Sequence, residues 1–144
     1  ETIDIQSNDK ILDIGCGYGA IGIYFAKKYP ESQILMTDSN LRSIKFSKIN
    51  AQLNNLNNVY IKPAYLLKGI ERKFDKIISN PPTHTKLEEI EELIKQFKQL
   101  LKKTGKIYVV INKIVNYERF AEKYFDNISI VAQNNQYKII KFEN

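Results

Sequence analysis

The chain has 144 residues, of which 43% are apolar and 26% charged, with six glycines and four prolines. A chain of this length and balance forms one domain and buries a core without metal or disulfide staples, which excludes multidomain, collagen-like and disordered readings. The net charge of +6 is heavier in the second half and suits a polyanionic partner such as RNA, although an AT-rich coding bias toward Lys, Ile, Asn and Tyr produces the same excess.

The longest apolar run, residues 107–111, is too short to span a bilayer, and nothing near Glu1 resembles a signal sequence. The expectation is a soluble cytoplasmic protein with no membrane partner, monomeric by default. Cys16 has no second cysteine to pair with, and Cys16 and His84 together leave too few soft ligands for zinc, so no metal is expected. Because the chain opens on Glu1 and not on methionine, trimming or an omitted upstream segment is expected.

In chain order, the apolar run 10–14 predicts a strand that stops at Gly15, and 20–29 a helix with Ile21, Phe25 and Ala26 at helical spacing. Residues 33–37 predict a second strand ending before Asp38, and 41–53 a helix capped by Ser39 or Asn40. A third strand is predicted at 59–62, stopped by Pro63, and a fourth at 74–79, running into Asn80-Pro81-Pro82.

Thr85 to Glu88 has the form of a capping box, after which Leu87, Ile90, Leu93, Ile94, Phe97, Leu100 and Leu101 mark a helix ending at Thr104-Gly105. Its glutamates, Glu88, Glu89, Glu91 and Glu92, crowd the start and Lys98, Lys102 and Lys103 the end, as a solvated face would. Residues 106–111 predict a strand buried on both faces, 116–125 a short helix, and 128–132 with 137–142 an antiparallel hairpin. The alternation implies an α/β, doubly wound, Rossmann-like sheet of seven strands, mostly parallel, with an antiparallel C-terminal hairpin.

Three motifs sit where such a sheet binds ligands. Asp13-Ile14-Gly15-Cys16-Gly17-Tyr18-Gly19 turns from a buried strand into a helix, which suits an adenosine-containing cofactor or simply a tight packing turn. The same segment contains Gly17-x-Gly19-x-x-Gly22, a dinucleotide fingerprint placed two residues late after the strand. Asp38, at the end of the second strand, can accept hydrogen bonds from ribose hydroxyls and fits NAD and S-adenosylmethionine equally. Asn80-Pro81-Pro82 can end a strand rigidly. It can also offer the Asn80 side-chain carbonyl and the Pro81 backbone carbonyl to both hydrogens of a planar amine, drawing its nitrogen toward a tetrahedral shape.

Taken together, Asp13-x-Gly15-x-Gly17-x-Gly19, Asp38 and Asn80-Pro81-Pro82 resemble the class I S-adenosylmethionine-dependent methyltransferases that modify amino groups. Residues 11–26 and 79–84 look most like the ribosomal RNA guanine amino-group (N2) enzymes of the small-subunit kind and their stand-alone archaeal relatives. The resemblance implies that Gly15, Gly17 and Gly19 pack against the methionine and ribose, and that Asp38 holds the ribose hydroxyls. Asp13 would support the turn or meet the amino acid end. Asn80 and Pro81 would orient the target amine, and Pro82 would shape the pocket. Tyr65 stands where the family often has an acidic residue for adenine, and Thr83 where it usually has an aromatic for the base. Thr83 and His84 are the expected substrate contacts. Adenine-amino or protein-glutamine methylation, a catalytically inactive RNA-binding or assembly module, and a dehydrogenase are the rival readings.

Overall fold

The computed structural model describes residues 3–81 and 86–144. The first strands are runs of apolar residues whose side chains face the two sides of one sheet in turn, and they thereby build a core on each face. The elements are β1 (Lys10–Ile14), α1 (Ala20–Lys28), β2 (Gln33–Asp38), α2 (Leu41–Leu53), β3 (Val59–Pro63) and β4 (Phe74–Ser79). They continue as α3 (Leu87–Leu100), β5 (Leu101–Asn112), α4 (Glu118–Ala121), β6 (Asn127–Gln133) and β7 (Tyr137–Glu143). Among the described residues no helix is long and apolar enough to cross a membrane.

The sheet has seven strands in the order β3-β2-β1-β4-β5-β7-β6. All neighbours from β3 to β5 pair in parallel, and β7 runs antiparallel to both β5 and β6. After β3 the chain crosses back to lay β4 against the other side of β1, so the winding direction reverses between β1 and β4. Such a reversal opens a crevice beyond the carboxyl ends of those two strands.

Successive side chains of a strand point to opposite faces. Ile11, Ile34, Met36 and Ile78 accordingly pack with Phe25 and Ala26 of α1, while Leu12, Leu35 and Ile77 pack with Ile90, Leu93, Ile94 and Phe97 of α3. Ile107, Tyr108 and Val109 are all buried, as a central strand covered on both faces requires.

Three predicted boundaries are corrected. The helix expected to reach Thr104 ends at Leu100, because Leu101 pairs with Phe74 and continues as strand past an irregularity between Phe74 and Lys76. Lys102 therefore sits on β5, where its ammonium meets the Asp75 carboxylate at 2.7 Å, and does not serve the helix end. The helix expected over 116–125 keeps only Glu118–Ala121, with residues 122–124 in a turn. The capping interaction is displaced by one residue: Lys86 N–H donates to the Glu89 side chain at 3.3 Å, ahead of a helix that begins at Leu87. Thr85 lies outside the described residues.

Candidate active site

The turn after β1 is held by its neighbours on β2. Gly15 N–H and Cys16 N–H both donate to Thr37 O, at 2.8 and 3.0 Å, and Gly19 N–H donates to Cys16 O at 2.9 Å. Gly17 N–H donates to Asp38 Oδ2 at 2.9 Å. These four amides are thus occupied inside the protein. A pyrophosphate-binding glycine turn needs its N–H groups directed at the ligand, so this turn is poorly suited to a dinucleotide and compatible with a cofactor that carries no phosphate. Gly15 has φ +68°, and a side chain there would point toward the Asn80 carbonyl, 3.8 Å from the Cβ position.

Asp38 ends β2 with both carboxylate oxygens engaged, Oδ2 by Gly17 and Oδ1 by Asn40 N–H at 2.8 Å. Each oxygen retains a second lone pair for a ligand hydroxyl. Asn40 itself caps α2, accepting from Arg42 N–H at 2.9 Å, so capping does not consume Asp38. Beside it Thr37 Oγ1 is buried without a hydrogen-bond partner among the described residues. An orphaned hydroxyl lining a cleft is a group that awaits a ligand.

The cleft has a volume of about 290 Å³ and is lined by Gly15, Thr37, Asp38, Tyr65, Asn80, Pro81 and Glu89, among others. Its size is at the lower end of the range for small-molecule sites. Gly15, Asp38, Tyr65, Asn80 and Pro81 of the predicted set therefore come together, while Gly17 and Gly19 shape the turn without lining the cleft. Pro82, Thr83 and His84 lie outside the described residues. The glycine turn, the orphaned Thr37 hydroxyl and the Asp38 carboxylate fit S-adenosylmethionine: Asp38 would hold the ribose hydroxyls and Gly15 would let the chain approach closely.

Glu89 corrects the reading of the first turn of α3 as wholly solvated surface. It lines the cleft and accepts from Tyr65 O–H at 3.2 Å. The Glu89 carboxylate pushes the Tyr65 hydroxyl above its ordinary pKa. The missed signal was positional, since the helix following Asn80 must start at the same sheet edge as the site. A carboxylate from α3 thus reaches the cleft beside Tyr65, in the segment that follows β3.

Asp13 is 1% exposed and accepts from Gly22 N–H at 2.9 Å, so it braces the turn against α1 and does not line the cleft. Burial pushes its carboxyl up to about 7, opposed by the Gly22 N–H and reinforced by the Asp38 charge. The folded pKa lies above the unfolded value, so the native state holds the proton longer. That contribution is intact below the unfolded pKa of 3.8 and is lost as pH rises through about 7. Urea denaturation should show stability falling by about 2 kcal/mol between pH 5 and pH 7. Asp13→Asn, which keeps an acceptor for Gly22, should flatten that slope; an unchanged slope would assign it to other groups. Burial, with Asp13 and Asp38 nearby, also pushes the Cys16 thiol up to about 12, so it stays protonated and fills space.

The sequence matches the family described as Methyltransferase small domain over residues 1–141. A Haemophilus influenzae protein named ribosomal RNA small subunit methyltransferase C is 35% identical over 99% of this chain and 44% of its own length. The uncharacterized protein YbxB of Bacillus subtilis is 33% identical over 91% of this chain and 68% of its own. Among solved structures, a T. thermophilus 16S rRNA N2 guanine methyltransferase in complex with AdoMet and guanosine has a TM-score of 0.87 at 22% identity, covering 96% of this chain and 38% of that one. The likeness to that structure is one of fold. The chain spans less than half the length of these ribosomal RNA relatives.

Proposed function

This chain belongs to the methyltransferase small-domain family, and we propose that it transfers the methyl group of S-adenosylmethionine to the exocyclic amino group of a guanine in ribosomal or other structured RNA. The observation that carries the reading is the cleft itself, in which Asp38 and Gly15 meet Asn80 and Pro81 at the β1–β4 reversal. The occupied amides of the glycine turn weigh against the dinucleotide alternative. The names of the H. influenzae and T. thermophilus relatives support the RNA and guanine parts, and the basic net charge agrees with a polyanionic substrate. The reaction belongs to the cytoplasm, where ribosomal RNA is found.

Asp38 binds the ribose and orients the nucleoside. The Asn80 side-chain oxygen and the Pro81 carbonyl accept the two amine hydrogens, turning the nitrogen lone pair toward the methyl group and stabilising the positive charge that grows on nitrogen. When bound, S-adenosylmethionine would supply an electrophilic methyl, its C–S bond breaking toward sulfur as the amine nitrogen takes the methyl, and the amine proton would pass to water. A strong general base is unnecessary, because that proton becomes acidic once the new bond forms.

Calorimetric titration with S-adenosylmethionine should saturate at one ligand per chain, with NAD showing no binding. Asp38→Ala should weaken the affinity by about tenfold to a hundredfold, the scale of hydrogen bonds to a charged group. Methyl transfer assayed on RNA, DNA and protein fractions should label RNA. Label in protein alone would overturn the guanine assignment.

A further inference from the structure

We propose that a single-stranded segment of the substrate RNA docks in the open groove along β3, its phosphates held by Lys62, Arg72 and Lys73 and a base stacked on Tyr60; this rests on the RNA reading above. The groove follows from the topology. The crossovers from β1 to β2, β2 to β3 and β4 to β5 each carry a helix, whereas β3 reaches β4 through residues 64–73, which turn without forming one. β3 is also an edge strand. Val59 and Ile61 pack toward the core that holds α1, so Tyr60 and Lys62 face the other side of the sheet. With no helix after β3 to cover them, they line an open groove of about 600 Å³ with Gly69 and Arg72.

The chemistry of the groove suits a polyanion. Residues 59–73 carry Lys62, Lys68, Arg72 and Lys73 against one acid, Glu71, and all five are exposed. Lys62 Nζ donates to an uncharged acceptor, Gly69 O, at 2.9 Å. None of the four cations has an ion-pair partner among the described residues, whereas Lys123 and Lys141 are paired with Glu91 and Glu143. The Arg72 guanidinium lies 5.6 Å from the ring centroids of both Tyr60 and Phe74. Two rings thus hold the cation, and its N–H groups have no acceptor among the described residues, as a phosphate site requires. Tyr60 is 51% exposed. Cations interleaved with an exposed aromatic along a groove are the footprint of single-stranded nucleic acid.

Position ties the groove to the reaction. Pro63, at the carboxyl end of β3, pairs with Asp38, and Ala64 N–H donates to Asp38 O at 3.0 Å. The crossover that starts there walls both cavities: Ala64, Tyr65 and Leu66 line the cofactor cleft, and residues 69–72 line the groove. An RNA strand presented to the cleft therefore meets the groove on the far side of one short segment.

The test measures binding of a fluorescein-labelled single-stranded RNA oligonucleotide by anisotropy across a series of KCl concentrations, with calorimetry of S-adenosylmethionine binding beside it. The triple variant Lys62→Gln, Arg72→Gln, Lys73→Gln should weaken RNA binding about tenfold and reduce the slope of log affinity against log salt by about 2, the release of three phosphate contacts. The control removes the same charge from the exposed outer face of α1 and α2, through Lys27→Gln, Lys45→Gln and Lys48→Gln, and should change affinity and slope far less. Tyr60→Ala should weaken binding about tenfold, and Tyr60→Phe should restore it. With unmodified small-subunit ribosomal RNA as substrate, the groove triple should raise KM and leave kcat and cofactor affinity at the wild-type values. Equal losses from the two triples, or none from the groove triple, overturn the groove and leave RNA methylation standing. Wild-type protein that neither binds nor methylates RNA overturns the RNA reading, and the groove falls with it.

Discussion

Replacing Asn80 by alanine is expected to lower kcat for methyl transfer by about a hundredfold to a thousandfold, the effect of deleting one preorganised polar contact to charge that develops in a transition state. The substitution is sterically mild. Asn80 is exposed at the end of β4, and the preceding Ser79 is buried and holds the strand through its hydroxyl, which donates to Ile14 O at 3.4 Å. The strand register should survive, and with it most of the affinity for S-adenosylmethionine, whose proposed anchor is Asp38. Single-turnover rates at saturating cofactor, with calorimetric affinities beside them, separate the two quantities. An unchanged rate would remove Asn80 from the reaction; a rate lost together with cofactor affinity would make it a structural residue of the cleft.

Gly19→Ala should cost about 3 kcal/mol of stability, because a left-handed backbone and a crowded site act together. Gly19 sits at φ +98°, and a Cβ there would come within 2.7 Å of the Met36 terminal methyl and 2.8 Å of Ile23 Cδ1. Met36 is fully buried between β2 and α1, which limits its room to yield. Equilibrium urea unfolding should show the loss as a lower midpoint at unchanged slope. Gly17→Ala is the comparison: φ is +57° there, but nothing lies within 4 Å of the Cβ position, so only the backbone strain remains and the loss should be smaller. Equal losses at the two positions would show that crowding contributes nothing.

The strands β1 and β4 and the start of helix α2 lie where the apolar runs, Gly15 and Asn40 imply. The helix α3 does not. Leu100 and Leu101 continue a helical spacing, yet Leu101 gains a strand partner in Phe74, and pairing across the sheet outweighs the local preference for another helical turn. The seven-residue strand β7 and its hairpin were equally readable, because a short polar loop between two β-rich runs leaves little choice but antiparallel pairing.

Residue types alone made legible a glycine turn, an acidic residue at the end of β2 and an Asn-Pro-Pro segment, and their resemblance to a known family linked them to one class of transferase. Each depends on short-range order: a backbone that bends after a strand, a carboxylate one strand later, a carbonyl fixed by proline. The tertiary structure alone decided that Asp13 is buried as a brace and that Gly17 spends its amide on Asp38. It also brought Glu89 to the cleft, beside Tyr65. Those juxtapositions join residues on separate strands and helices, and their distances are set by strand order and register, which sequence neighbours do not encode.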